Sequence, residues 1–368
     1  MFTAAEGTFA GQPHRSDTAK GLPVTVVIPT FNRAADVARA LESLLAQSAG
    51  AVQVVVVDNS STDNTADLVR AQIPSWNGRL RYVHKDPVGP ASARNAGLAL
   101  AHTPFVLFMD SDVELPGEWI GRALAHMERD PKLAAVGGLI LYAFEPTRIN
   151  AFGGDLGRMG LAWDMDEGVP LNGSARAADR IWINCSAMLV RAGAVSEAGG
   201  FDEAYFYGYE DSDLGWRLNL MGYRVSVYPD LCAHHHVSWD SGAAHSTLVF
   251  HYCKNRLRMI LKNASPRRLP FMLAGYAAYS LADLVFRGQR VAKLRAVGWN
   301  MGRLGETLKL RRAVQEKRTV SDADIFRRGS RRWFPPTALG GRRRRPVPAP
   351  AVREKAGKAA PRAVDDPV

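Results

Sequence analysis

The chain has 368 residues, 46% hydrophobic and 23% charged, enough for one large domain with an appendage or for two domains. Three cysteines, Cys185, Cys232 and Cys253, show no CxxC spacing; they exclude a disulfide framework, and with no apolar signal core in residues 1 to 20 a cytoplasmic protein is expected. The formal charge of +11 is local: from Arg287 onward 22 Lys/Arg face 7 Asp/Glu, leaving 25 against 29 before it, so a specific nucleic-acid partner is not expected.

Residues 24 to 28 predict a short β-branched strand ending at Pro29, and Ala34 to Ala46 a helix with Val37, Leu41, Leu44 and Leu45 on one face. Val52 to Val57 predict a second strand, closed by the polar loop Asp58 to Thr65 and followed by a helix from Ala66. Arg81 to Val83 reads as a third strand, Ala91 to Ala101 as a helix, and Thr103 to Met109 as a buried strand. Repeated β-loop-α units imply an α/β fold with a mainly parallel sheet, helices on both faces, and ligands at the carboxyl ends of the strands.

Farther along come an apolar run at Leu133 to Leu141, a Gly-rich stretch from Gly153 to Gly173 that suits a lid or acceptor-side wall, and an apolar segment at Ile181 to Val190. Helices are predicted over Leu248 to Leu261 and Leu269 to Phe286. The second holds Pro270, Gly275 and Asp283 between Arg267, Arg268, Arg287 and Arg290, so an interfacial helix is expected in preference to a span of ~20 apolar residues. The resulting organisation is a flexible segment at 1–22, a main domain at 23–262, C-terminal helices at 263–335 and a disordered basic tail at 336–368.

Asp110-Ser111-Asp112 follows the buried strand directly. Two carboxylates two residues apart repel unless a cation or a hydrogen-bonded ligand compensates, which favours a hard divalent ion with phosphate oxygens in its shell. The competing role for Asp112 is a helix cap, because Glu114, Leu115 and Pro116 follow it.

Five segments in order, Val26 to Arg33, Val57 to Asp63, Ala93 to Gly97, Met109 to Asp112, and Gly199 to Glu203 followed by Glu210 to Leu214, resemble glycosyltransferase family 2 on a GT-A fold, with bacterial rhamnosyltransferase-like members most similar. The resemblance implies an inverting, non-processive transferase that uses a UDP- or dTDP-sugar and acts on a glycan or lipid-linked acceptor in cell-surface polysaccharide assembly. It implies nucleotide-sugar contacts from Pro29, Thr30, Asn32, Arg33, Asp58, Arg94, Asp110 and Ser111, a Mg²⁺ or Mn²⁺ ion held by Asp112 and His235, and Asp211 as the base. Asp58 also suits a turn, Arg33 and Arg94 also suit a solvated surface, and Asp213 suits a helix cap.

Among His234, His235 and His236 the resemblance implies His235, which best fits the position where family members place a histidine, with His236 next. Cys185-Ser186-Ala187-Met188-Leu189 departs from the family's Gly-Ala at that position, and Arg331-Arg332-Trp333, with Gly329 ahead of it, misses the [Q/R]xxRW motif of processive synthases. Residues 269–290 and the basic tail imply peripheral contact with the inner face of the plasma membrane. A nucleotidyltransferase and a catalytically inactive membrane- or nucleic-acid-binding scaffold are the alternatives; the first lacks its Gly-rich phosphate loop here, and the second is opposed by intact carboxylate motifs.

Overall fold

A computed structural model describes residues 22–86, 89–237, 245–286, 288–328 and 333. The basic tail and all of the N-terminal segment but Leu22 lie outside the described residues, as do Gly329, Arg331 and Arg332.

The first half alternates β1 (Val24–Thr30), α1 (Ala34–Leu45), β2 (Gln53–Asp58), α2 (Thr65–Gln72), β3 (Leu80–His84), α3 (Pro90–Leu100) and β4 (Phe105–Met109). Side chains of a strand alternate between faces, and β1 shows it: Val26 and Ile28 join one core with Val37 and Leu41 of α1, while Val27 joins another with Ala93 of α3. At Gly97 of α3 an added Cβ would lie 2.2 Å from Val27 Cγ1, so the helix approaches β1 this closely only because no side chain intervenes.

β5 (Val113–Glu114), α4 (Trp119–Arg129), β6 (Leu133–Tyr142), β7 (Glu145–Ala151), the hairpin β8 (Gly154–Leu156) and β9 (Ala162–Asp164), β10 (Ala178–Asp179), β11 (Ala187–Arg191), α5 (Ala192–Glu197), α6 (Glu210–Leu220) and β12 (Arg224–His235) follow. The main sheet runs β10-β12-β6-β11-β4-β1-β2-β3. The expected parallel pairing holds from β3 to β4, whereas β11 is antiparallel to β4 and to β6, and β12 runs parallel to β6. This mixed half has no β-loop-α repeat, which is why periodicity alone does not reveal it.

α7 (His245–Asn263) carries α8 (Leu269–Phe286), α9 (Arg290–Gly302) and α10 (Leu304–Glu316), and α11 (Asp322–Arg328) packs on α6. A third core joins these layers through Trp216, Met259, Met272, Tyr276 and Phe326. Among the described residues no helix is long and apolar enough to cross a membrane.

Asp213 does not cap α6. It lies wholly buried within the helix, bonded by Arg217 Nε, Lys262 Nζ and Asn263 Nδ2, each at 2.9 Å. Burial required these partners, and two of them come from α7, whose role sequence spacing does not disclose.

Candidate active site

Loops after β1, β2 and β4 meet at the carboxyl edge of the sheet. Asn32 takes the left-handed conformation (φ +53°), and its Oδ1 accepts the backbone N–H of Thr62 at 2.7 Å and of Asp63 at 3.3 Å, stitching the first loop to the second. Asp58, buried, accepts from Ser61 N (2.8 Å), Ser61 Oγ (2.6 Å) and the Tyr82 hydroxyl (2.6 Å). The carboxylate therefore shapes the turn, and Oδ2 retains a lone pair for a ligand N–H. Thr30 and Ser111 are buried, Thr30 with Oγ1 unpartnered.

Asp112 precedes the strand β5, and α4 begins only at Trp119, so the capping role is overturned. Antiparallel pairing sets His235 opposite Val113, which brings its Nε2 to 3.2 Å from Asp112 Oδ1. Asn150 Oδ1 lies 2.9 Å from His235 Nδ1; with Nδ1–H donating to it, Nε2 is left for Asp112 or a metal. Arg33 Nη1 stands 3.3 Å from the other Asp112 oxygen and 3.2 Å from Asp36. Burial alone would lower the His235 pKa, but the hydrogen bond and charge of Asp112, with Asp110 behind it, raise it. Burial would raise that of Asp112, yet His235 and then Arg33 hold it below its ordinary value.

Asp110 accepts from Arg94 Nη2 at 2.8 Å and from Ser186 Oγ at 3.0 Å. Arg94 is buried, and its Nη1 donates to Glu210 at 3.1 Å. The solvated-surface alternative for Arg94 is thus corrected: this guanidinium is buried and paired with two carboxylates, because charges that deep must be paired. Its planar fork joins the end of β4 to the first turn of α6.

Asp211 follows Glu210. Burial, then the charges of Glu210 and Asp164, push its pKa well above the usual carboxylate range, with Arg94 pulling the other way. Asp164, at the end of β9, is held at about 7 by burial and by Glu167. Its Oδ1 is buried without a hydrogen-bond partner, and Asn184 bonds the carboxylate. Cys185, buried beside Arg94, is pushed far up by burial and is a core residue.

Asp110, Asp112 and His235 each offer one ligand atom, all within 4.8 Å of one another. Two carboxylate oxygens and one imidazole nitrogen fit Mn²⁺ well and Mg²⁺ acceptably, with water and phosphate oxygens to complete six positions.

The sequence profile described as Glycosyl transferase family 2 matches residues 25–153, which hold all three loops and the Asp110-Asp112 pair. That segment is a family 2 glycosyltransferase domain. Similar curated proteins include a validoxylamine A glucosyltransferase of Streptomyces hygroscopicus subsp. jinggangensis, 32% identical over 247 residues (60% of this chain, 56% of that protein). Another is a pre-mycofactocin glycosyltransferase of Mycobacterium tuberculosis, 35% identical over 222 residues (58% and 43%). The chain spans about half the length of these relatives. Among solved structures, GalNAc-T7 with UDP, GalNAc and Mn²⁺ superposes with a TM-score of 0.56 at 16% identity, over 67% of this chain and 48% of that one. TarS residues 1–349 of S. aureus does so at 0.50 and 18% identity, over 83% and 89%. Both likenesses show the fold, GT-A, with additional C-terminal helices here.

The family 2 segment ends before His235, Glu210 and Asp211, yet β12 and α6 return those residues to its edge. His234 pairs with Glu114 in the ladder, and the His236 ring lies 2.5 Å from the Glu114 carboxylate, so neither joins the Asp110-Asp112 cluster. Sequence reasoning missed Asp164, Glu210 as partner of Arg94, Ser186 and Asn150. Only for Glu210 was there a signal, its place beside Asp211; the others lie in irregular or Gly-rich stretches without periodicity.

Proposed function

We propose that the chain transfers a sugar from a UDP- or dTDP-linked donor to a hydroxyl of a glycan or lipid-linked acceptor, one sugar per encounter and with inversion, in cell-surface polysaccharide assembly. The observation that carries this reading is the joining of Asp110, Asp112 and His235 to Glu210-Asp211 through the single guanidinium of Arg94.

Asp58 and the loop after β1 receive the nucleotide, with Asp58 Oδ2 accepting the imide N–H of a uracil or thymine ring. Pro29, Thr30 and Asn32 shape the backbone beside it, and Arg33 and Ser111 face the diphosphate side. A Mn²⁺ or Mg²⁺ ion held by Asp110, Asp112 and His235 would neutralise the departing diphosphate, so no protein acid is required. Asp211 takes the proton of the acceptor hydroxyl from the face opposite the leaving group, which sets the inverted configuration. Its raised pKa makes it a strong base once ionised, a state that Arg94 favours. Arg94 keeps Asp110 and Glu210 at a set separation while this occurs.

A thermal-shift panel of nucleotide sugars with and without Mn²⁺ tests the reading. A ligand at ~100 times its Kd stabilises by ~2.7 kcal/mol, so a UDP- or dTDP-sugar should raise the melting temperature by several degrees only when the metal is present. No metal-dependent shift with any nucleotide sugar would reject it.

Peripheral membrane contact, expected through residues 269–290 and the basic tail, is part of the proposal, and the exposed face that supports it extends onto α9. Met272 and Tyr276 of α8 are buried in the third core, whereas α9 exposes Val291 (71%), Leu294 (66%), Val297 and Met301 (62%) at near-helical spacing, with Arg290 and Arg295 also exposed. An apolar stripe flanked by arginines suits an anionic bilayer surface. Wild-type protein is expected to float with phosphatidylglycerol vesicles and not with phosphatidylcholine, and a V291E/L294E/M301E variant to stay at the bottom. Sedimentation of the wild type away from anionic vesicles would dismiss the idea.

A further inference from the structure

One wall beside Asp211 has no task in the donor chemistry. Gly208 and Tyr209 both take left-handed backbone (φ +76° and +72°), turning the chain sharply into α6, and Asn255 Nδ2 holds the turn by donating to the carbonyls of Tyr207 (2.9 Å) and Gly208 (2.7 Å). The turn presents Tyr207, 39% exposed, edge-on to Tyr252 of α7, 47% exposed, with ring centroids 6.0 Å apart; Tyr209 meets Tyr252 at 6.2 Å. The patch borders the site: Tyr209 directly precedes Glu210 and Asp211, and its hydroxyl lies 3.5 Å from the backbone N–H of Ala162 in β9, the strand that ends at Asp164.

We propose that Tyr207, Tyr252 and Asp164 form an acceptor subsite that takes a neutral polyhydroxylated six-membered ring, a pyranose or a cyclitol; the assignment rests on the transferase reading above. Such a ring has an apolar C–H face that covers an exposed aromatic ring and an edge of hydroxyls that donates to carboxylates. The buried, unpartnered Oδ1 of Asp164 supplies the acceptor such an edge needs. An acyl chain would leave that oxygen unpaired, and a phosphate would add negative charge beside a cluster of three acidic side chains. The ring's own hydroxyl is then held beside Asp211, and which hydroxyl reacts is set by the stacking face and by Asp164.

Saturation-transfer NMR on the full chain with UDP and Mg²⁺ tests the subsite, using methyl β-D-glucopyranoside, myo-inositol and octyl β-D-glucopyranoside as probes. Saturation should reach ring C–H protons, and Tyr252→Ala and Asp164→Asn should each weaken ring binding by about tenfold or more, with UDP affinity within about twofold. Tyr252→Phe, which keeps the ring, should retain binding, and unchanged melting of each variant guards against misfolding. Saturation confined to the octyl chain, or equal ring binding by wild type and both weakened variants, would overturn the assignment. If ring probes bind but UDP does not, the transferase reading falls and the subsite stands; if UDP binds and no ring does, the subsite alone falls.

Discussion

Asp112→Asn is expected to abolish measurable transfer while leaving the fold intact, and Asp211→Asn to do the same by a different route. The first removes one of the two carboxylate charges that would compensate a divalent ion and leaves a neutral amide 3.2 Å from His235. Loss of metal-derived charge stabilisation is worth several kcal/mol, or about three orders of magnitude in rate. Asp112→Asn should therefore lose the Mn²⁺-dependent thermal shift with the donor. Asp211→Asn should keep that shift and lose only transfer, by ~10²–10⁴-fold, because general-base catalysis contributes on that scale. Isothermal calorimetry with donor and metal, run beside a transfer assay, separates the two. Normal transfer by either variant would remove that residue from its assigned role.

The largest stability effect is expected at Asp213. This carboxylate is fully buried between Arg217, Lys262 and Asn263, and the Tyr205 hydroxyl lies 3.3 Å away. Asp213→Ala would leave Arg217 with its backbone carbonyl partners alone and Lys262 with Asp202 alone. Removing one member of a buried charge network costs ~3–5 kcal/mol, so the variant should melt many degrees lower or fail to accumulate. Asp213→Asn, which keeps the shape and a carbonyl acceptor, should lose less. Chemical denaturation of both variants measures the difference, and an Asp213→Ala protein as stable as wild type would show that the network contributes nothing net.

The sequence made the parallel half of the fold readable because each strand there is a short β-branched run and each helix has one apolar face. It also marked the strand-end positions of Asp58, Asp110 and Asp112, and the family resemblance singled out His235. Side-chain commitments were not readable. Arg94 also suits a solvated surface in a linear sequence, since nothing in its neighbourhood shows that Glu210, 116 residues later, will pair with its guanidinium. Asp213 looks like a cap because α7, which buries it, is 32 or more residues away. Asp164 was invisible for a third reason: it sits in a hairpin of two three-residue strands, too short for any alternation to register.

The turn that Asn32 closes ties the geometry of two loops together. One amide oxygen gathers the backbone of Thr62 and Asp63, so the first and second loops move as one piece and cannot be resized separately. The opposite wall is built differently, from a short hairpin and a turn held by Asn255. A change of length in either loop after β1 or β2 thus requires the other to change with it, whereas the hairpin and the Asn255-held turn carry no such shared bond to those loops among the described residues.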